Sequence, residues 1–335
     1  MSLRMNLGEK IRHHWRTHKQ DAVIVSIMMM MLSTLLFSVI APVSALSTRV
    51  EPILLLCAGS FVALLVHIPF VKNLKQRLRT CPWKMYLLIA IGGAIGGWAY
   101  VLFTIALRIS DNAIIPVLIF ELYPVAAVFL AGIFLAKQKV MLSHYFWIAV
   151  CLFGVCVLML DGQEMSYAGF QAAVAEDLHS ILLMLFTVLI YAGGLIFVLK
   201  ASRLMGGTAQ DGIFTSLLIR AVHFLITLPF ANWALMGDIA QKEDLISMGH
   251  IVVYGASALA LSNILYYAAV NVNKSNMLHM MMYLGPIFSA AWLALLGLGS
   301  FTLATVLGGG LIILAVLKVT LPRKRITKKE NTAKR

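Results

Sequence analysis

The chain has 335 residues, 61% of them hydrophobic and only 12% charged, with a formal net charge of +13. A soluble globular protein carries about a quarter charged residues, so this composition excludes a soluble enzyme or nucleic-acid-binding domain and indicates an integral membrane protein. Its four cysteines, Cys57, Cys81, Cys151 and Cys156, offer neither a disulfide framework nor a CxxC metal pair.

A basic tail, residues 1–20, leads into the first apolar segment at 22–46. The triplet "VSA" at 43–45 imitates a signal-peptide cleavage site. The apolar stretch before it runs about 20 residues, against 7 to 15 for a signal core, so the segment is expected to be retained. Further segments of about 17 to 25 residues, the length that crosses a hydrocarbon core, follow at 52–71, 85–107, 113–135, 144–160, 178–199, 213–236, 248–270, 276–296 and 300–321. Ten membrane helices are expected, and a second basic tail, 322–335, follows them. With both termini in the cytoplasm, the inner side receives every Lys and Arg except Arg49, Arg108, Lys242 and the intramembrane Arg220. The positive-inside rule sets this orientation. The expected location is a cell membrane, the bacterial inner membrane above all. The tails are expected to rest on anionic lipid headgroups, and nucleic acid is not expected as a partner.

Within the third segment, "GGAIGGW" (92–98) holds two overlapping small-xxx-small pairs, Gly92/Gly96 and Gly93/Gly97, which allow close backbone approach. "GGG" at 308–310 does likewise in the tenth, and internal packing is expected for both. The fourth segment, "IIPVLIFELYPVAAVFLAGIF" (114–134), carries Glu121 near its middle. A carboxylate there costs roughly 2.5 to 3.5 kcal/mol on insertion scales, so such a group faces a protein interior or a watery cavity. Residues three and four apart share a helix face, which puts Ile114, Val117, Glu121, Pro124 and Val128 on one stripe. In the seventh segment Arg220 and His223 stand one turn apart. Arg220 lies about 10 Å in from the cytoplasmic end. It is expected either to snorkel to the headgroups or to pair with Glu121 or a substrate carboxylate.

Shifting the sequence by 162 residues lays "WAYVLFTIALRISDNAIIPVLIFELYP" (98–124) over "ALSNILYYAAVNVNKSNMLHMMMYLGP" (260–286), with Pro124 on Pro286 and Ala106 on Ala268. Five segments per half would turn the second copy upside down, and inverted repeats mark transporters. The predicted organisation is therefore an all-α membrane protein with one five-helix repeat at 21–160 and another at 178–321. The matching stripe of the second half holds Asn276, His279, Tyr283, Pro286 and Ala290. Pro124 and Pro286 are expected to bend their helices.

The stretches "YVLFTIALRISDNAIIPVLIFELYPVAAVFLAGIFL" and "NILYYAAVNVNKSNMLHMMMYLGPIFSAAWLALLGLGS" resemble the EamA-type members of the drug/metabolite transporter superfamily. One feature departs from that family, which commonly ends helices 4 and 9 with Gly-Glu: here the chain reads "LAKQK" (135–139) and "GLGS" (297–300). The resemblance implies a central cavity enclosed by helices 3, 4, 8 and 9 with 1 and 6. It places Glu121, His279 and Tyr283 on the wall, with Trp98, Tyr100, Asn263 and Tyr267 as further candidates. The plainer alternatives are packing for the aromatics, an interhelical hydrogen bond for Asn263, a satisfied core histidine for His279 and static kinks for the prolines.

The expected function is a secondary active transporter, an exporter working by alternating access on a small metabolite such as an amino acid, an amine or a similar amphiphile. The alternatives are a facilitative uniporter or channel-like permease without ion coupling, and a polytopic membrane enzyme. No HExxH, nucleophile motif or phosphate-binding loop appears, so no catalytic residue, metal or cofactor is expected. Energy is then expected from a solute or ion gradient. Protons are the candidate ion, competing with a cationic solute for Glu121. The oligomeric expectation is a monomer or a homodimer.

Overall fold

The computed structural model of the protein describes residues 7–134, 142–158, 167–204, 208–241, 244–272 and 281–320. Every regular element among them is helical. In chain order these are α1 (Leu7–Ser38), α2 (Ile40–Leu46), α3 (Pro52–His67), α4 (Leu74–Thr80), α5 (Trp83–Ile109), α6 (Ile114–Phe120), α7 (Tyr123–Phe134) and α8 (Leu142–Leu158). The second half holds α9 (Tyr167–Arg203), α10 (Ala209–Thr227), α11 (Trp233–Gln241), α12 (Leu245–Val253), a π-helical stretch (Tyr254–Leu261), α13 (Ser262–Val272), α14 (Gly285–Leu295) and α15 (Leu303–Thr320).

Six of the helices are long and apolar enough to cross a membrane: Ala22–Leu46, Pro52–Phe70, Trp83–Ile109, Leu178–Ala201, Ala209–Phe230 and Leu245–Val270. Four shorter apolar helices accompany them, at Ile114–Ala127, Tyr145–Leu158, Gly285–Leu295 and Leu303–Lys318. This fits a multi-pass membrane protein. The outside of the bundle is apolar to match, since Phe146, Phe153, Phe186, Leu189 and Leu225 are all more than half exposed. Buried hydroxyls instead tie helix to helix: Ser33 donates to the Ser262 carbonyl (2.7 Å) and Ser289 to the Ser38 carbonyl (3.0 Å). Two elements overshoot their expected lengths: α1 begins at Leu7, inside the basic tail, and runs for 32 residues, and α9 is longer still. The 37 residues of α9 span about 56 Å at 1.5 Å per residue, far beyond a core of about 30 Å. Residues 167–177, expected as a connection, are therefore helical.

Local chemistry sets the helix ends. Pro52 opens α3 in the first turn, where its missing N–H costs no hydrogen bond. Thr208 and Asp211 form a reciprocal capping box on α10, satisfying two orphan donors at once. Gly297, at φ +71, follows α14 in the left-handed region that glycine adopts without strain.

Helix α5 packs along α9, α1 along α13, α3 against both α10 and the π stretch, and α8 along α15. Two of these seams bring backbones together. A Cβ added at Gly92 would sit 2.7 Å from the Gly194 carbonyl oxygen, and one added at Gly194 would sit 2.9 Å from that of Gly92. Gly154 and Gly308 meet in the same way across α8 and α15. The small-residue runs read from the sequence thus serve packing within the chain.

At one end of the bundle Arg77 pairs with Asp211 at 2.6 Å, and the Lys72 N–H donates to the Gln210 side chain at 3.0 Å. At the other, Asn112 donates to the Ser300 carbonyl at 3.3 Å and the Ala113 N–H to that of Leu298 at 3.2 Å. Each set joins a connection from the first half to one from the second.

Candidate functional site

The fourth apolar segment is a helix interrupted near its middle. It stops at Phe120, turns through Glu121 and Leu122, and restarts at Tyr123. The Leu122 N–H turns back to the Ile119 carbonyl (3.0 Å), while Ala126 already bonds Leu122 in the next helix (3.0 Å). Pro124 occupies the second position of α7, where it has no N–H to return to the Phe120 carbonyl. The ninth segment repeats this arrangement. A 3₁₀ turn, Met282–Leu284, precedes α14, whose second residue is Pro286. The 162-residue shift that aligns the two prolines also sets Phe120–Leu122 on Met282–Leu284 and Glu121 on Tyr283. The prolines were expected to bend their helices. In the structure each follows a tightened turn whose backbone stays right-handed helical, at Glu121 (φ −66, ψ −3) and at Leu284 (φ −79, ψ −14). The cause is the missing proline N–H, which leaves a carbonyl of the preceding turn without its helical bond.

Glu121 is half-buried at its break and makes no hydrogen bond or ion pair among the described residues. The rings on either side of it, Phe120 and Tyr123, lie 5.4 Å apart and both meet Tyr191 of α9, at 5.2 and 5.1 Å. Tyr191 packs edge-on against Tyr100 of α5 (5.8 Å), and Tyr100 against His223 of α10 (5.8 Å). The Arg220 guanidinium lies 5.7 Å from the Tyr100 ring centre. An unbroken aromatic path therefore links the Glu121 break to a buried cation. Such edge-to-face and cation–π contacts contribute roughly 0.5 to 1.5 kcal/mol each.

Arg220 is only 5% exposed, so it does not snorkel to the headgroups. No ion pair joins it to Glu121. Its Nη1 instead meets His223 Nδ1 at 3.1 Å. A guanidinium has donors only, so Nδ1 accepts, and a neutral imidazole then carries its hydrogen on Nε2. That Nε2 has no hydrogen-bond partner, and neither does Arg220 Nε. The Gly93 carbonyl lies near the ring without completing a bond. Each of the two side chains thus keeps one buried nitrogen without a completed hydrogen bond. A Cβ added at Gly96 would be in ordinary contact with His223 Nε2, at 3.9 Å.

The other predicted wall residues fall elsewhere. Trp98 lies about 200° around α5 from Tyr100, 36% exposed and edge-on to Phe230, so the two cannot line one wall. Asn263 donates to the Leu259 carbonyl one turn back in its own helix (3.1 Å), so no bond to a neighbouring helix is formed there. Tyr267 lies against Gly212 and packs beside a separate apolar cluster with Ile213, Phe214 and Leu217. His279 and Asn276 lie outside the described residues, as do the side chains of Tyr283 and Val128. Glu121, Tyr100 and Arg220 are the predicted residues that the fold brings onto one path. Tyr191, Phe120 and Tyr123 were not singled out in the sequence. Tyr191 is flanked by the Gly193–Gly194 pair, and that pair was the available sign of a close seam.

No known family matches the chain, and no curated protein matches it. A solved structure described only as "Crystal structure of protein" is similar, with a TM-score of 0.52 and 17% identity over 88% of this chain and 96% of that one. Likeness at that identity concerns the fold alone.

Proposed function

We propose that the protein is a secondary transporter of the EamA type, with ten spans arranged as two inverted five-helix repeats. It moves a small amphiphilic metabolite across a cell membrane by alternating access. The observation that carries this reading is the pair of helices, α7 and α14, that start at matching positions of the two halves with a proline in second place, each after a turn that holds Glu121 in one half and Tyr283 in the other. Discontinuous helices at corresponding places in a repeated membrane fold are the strongest sequence-level pointer to a transport site. The packing pattern supports it. Exchanging the halves turns the α5–α9 contact into the α13–α1 contact and returns the α3–α10 and α8–α15 contacts to themselves.

On this reading the connections at the two bundle ends part alternately while the seams between the halves rock. Glu121 has no partner among the described residues to give up. A proton and a solute ammonium therefore occupy it in turn, which couples their opposed movements when the empty carrier reorients slowly. The test is uptake into vesicles containing the purified protein, driven by an imposed pH gradient. Saturable, proton-driven uptake that loses its pH dependence in Glu121→Gln is the expected result. An unchanged pH profile in that variant rules out coupling through Glu121, and flux that never saturates rules out a carrier.

A further inference from the structure

We propose that α4 is a docking surface for anionic phospholipid, whose phosphate is met by Lys75 and Arg79 and whose acyl chain lies along Leu74 and Leu78. The surface is separate from the two basic tails, and it needs a membrane protein but not a transporter.

The helix α4 joins the apolar span that ends at Phe70 to the one that begins at Trp83, so it lies where two spans leave the membrane. Its three cations divide between two faces. Arg77 points into the bundle and pairs with Asp211 at 2.6 Å. Lys75 and Arg79 stand two residues to either side of it, about 160° around the helix, and both are exposed without an ion pair among the described residues. Leu74 and Leu78, one turn apart and on a shared face, lie between, and with Lys75 and Arg79 they line an open groove. Leu74 packs beside the cluster of Val71, Met85 and Phe214, whereas Leu78 is 45% exposed. Just past the helix, Trp83 is 68% exposed and Lys84 is exposed too, the aromatic and basic pairing found at headgroup depth. Cations beside uncovered apolar groups complement an anionic head on an apolar chain, while a soluble anion would leave Leu78 and Trp83 bare. The other half supplies a contrast. The 162-residue shift lays α4 on residues 236–242, most of which belong to α11, and α11 has no lysine or arginine and carries Asp238. The basic face therefore belongs to one end of the bundle and not to the repeat. Through Arg77, a lipid docked on α4 is tied to α10 of the other half.

The test is thermal unfolding of the purified full chain in neutral detergent micelles that carry rising mole fractions of phosphatidylglycerol or, separately, of phosphatidylcholine. A ligand of the folded state stabilises it, so phosphatidylglycerol is expected to raise the unfolding temperature more than phosphatidylcholine does. In Lys75→Gln/Arg79→Gln the mole fraction of phosphatidylglycerol that gives half the rise is expected to increase about fivefold or more, at least the factor of one surface cation. The same loss of charge in the C-terminal tail, Lys328→Gln/Lys329→Gln, is expected to leave it in place, and so is Lys75→Arg/Arg79→Lys, which keeps both charges. High salt gives a second reading in the wild type, where it is expected to weaken the response to phosphatidylglycerol. Equal responses to the two lipids, a response indifferent to salt, an unchanged midpoint in the Lys75→Gln/Arg79→Gln protein, or an equal increase from the tail pair overturns the proposal.

Discussion

Three arginines of this bundle meet their surroundings in different ways. Arg77 pairs with Asp211 and also donates to the Lys72 carbonyl (3.1 Å). Arg108 donates to the Ser44 and Ser47 carbonyls, at 3.0 and 2.6 Å, fixing the end of α5 to the α2 region. Both are satisfied by protein at the ends of the bundle. Arg220, deeper and more buried, has one histidine and one ring face for company and an unmet Nε. Protein-satisfied cations hold the architecture, whereas a buried cation left short of acceptors is costly to the empty fold and useful only when something arrives to meet it.

The largest expected effect sets two glycines of α5 against each other. At Gly92 a methyl would press on the Gly194 backbone, which cannot give way without moving α9. Gly92→Ala is therefore expected to cost about 1 to 3 kcal/mol, the range for overpacking, read as a lower unfolding temperature or loss of monodisperse protein. One turn on, Gly96→Ala is expected to leave the unfolding temperature within error. Equal damage from both would show that α5 is packed as tightly at Gly96 as at Gly92.

A smaller effect is expected at the satisfied end. Asp211 accepts from Arg77 and from both the N–H and hydroxyl of Thr208, at 2.6, 2.9 and 2.7 Å. Asp211→Asn is expected to destabilise by about 1 to 2 kcal/mol in thermal unfolding. An unchanged unfolding temperature would show that the capping box and the ion pair add nothing there.

The smallest effect belongs to Arg49, which reaches Asp244 at 3.6 Å while 82% exposed. Exposed pairs add little, so Arg49→Ala should not shift the unfolding temperature. Asp244 itself caps α12. Hydrogen bonds from the Ser247 N–H and hydroxyl, at 3.1 and 2.8 Å, hold its carboxyl below the usual carboxylate range. Because its folded value is depressed, the cap contributes above the ordinary carboxylate pKa and is lost as pH falls through the folded one. Neutral-pH measurements leave it intact.

Much of the membrane architecture was legible from composition and run length, because burying a span needs little beyond about 20 apolar residues. The breaks were half legible. The Glu-Leu-Tyr-Pro order marked the fourth segment as unusual, yet the tightening of the turn before the proline shows only in the hydrogen bonds of Leu122 and Ala126. Trp98 and Tyr100 show the limit of reading residue types without a face. Both are aromatic and two residues apart, so a helix must send them in opposite directions. Tyr191 was not legible because its importance lies in three rings contributed by other elements, and nothing local announces that meeting. Arg220 stood out by its charge alone, but whether it paired, snorkelled or stayed unmet depended on tertiary packing.

The central claim, that this bundle carries a solute by alternating access, is tested most directly by counterflow. Vesicles containing the purified protein are loaded with unlabelled phenylalanine or leucine and diluted into a trace of the labelled compound. A transient accumulation of label above equilibrium, absent from protein-free vesicles, is the expected result. Label that only equilibrates in vesicles holding the folded protein would contradict it.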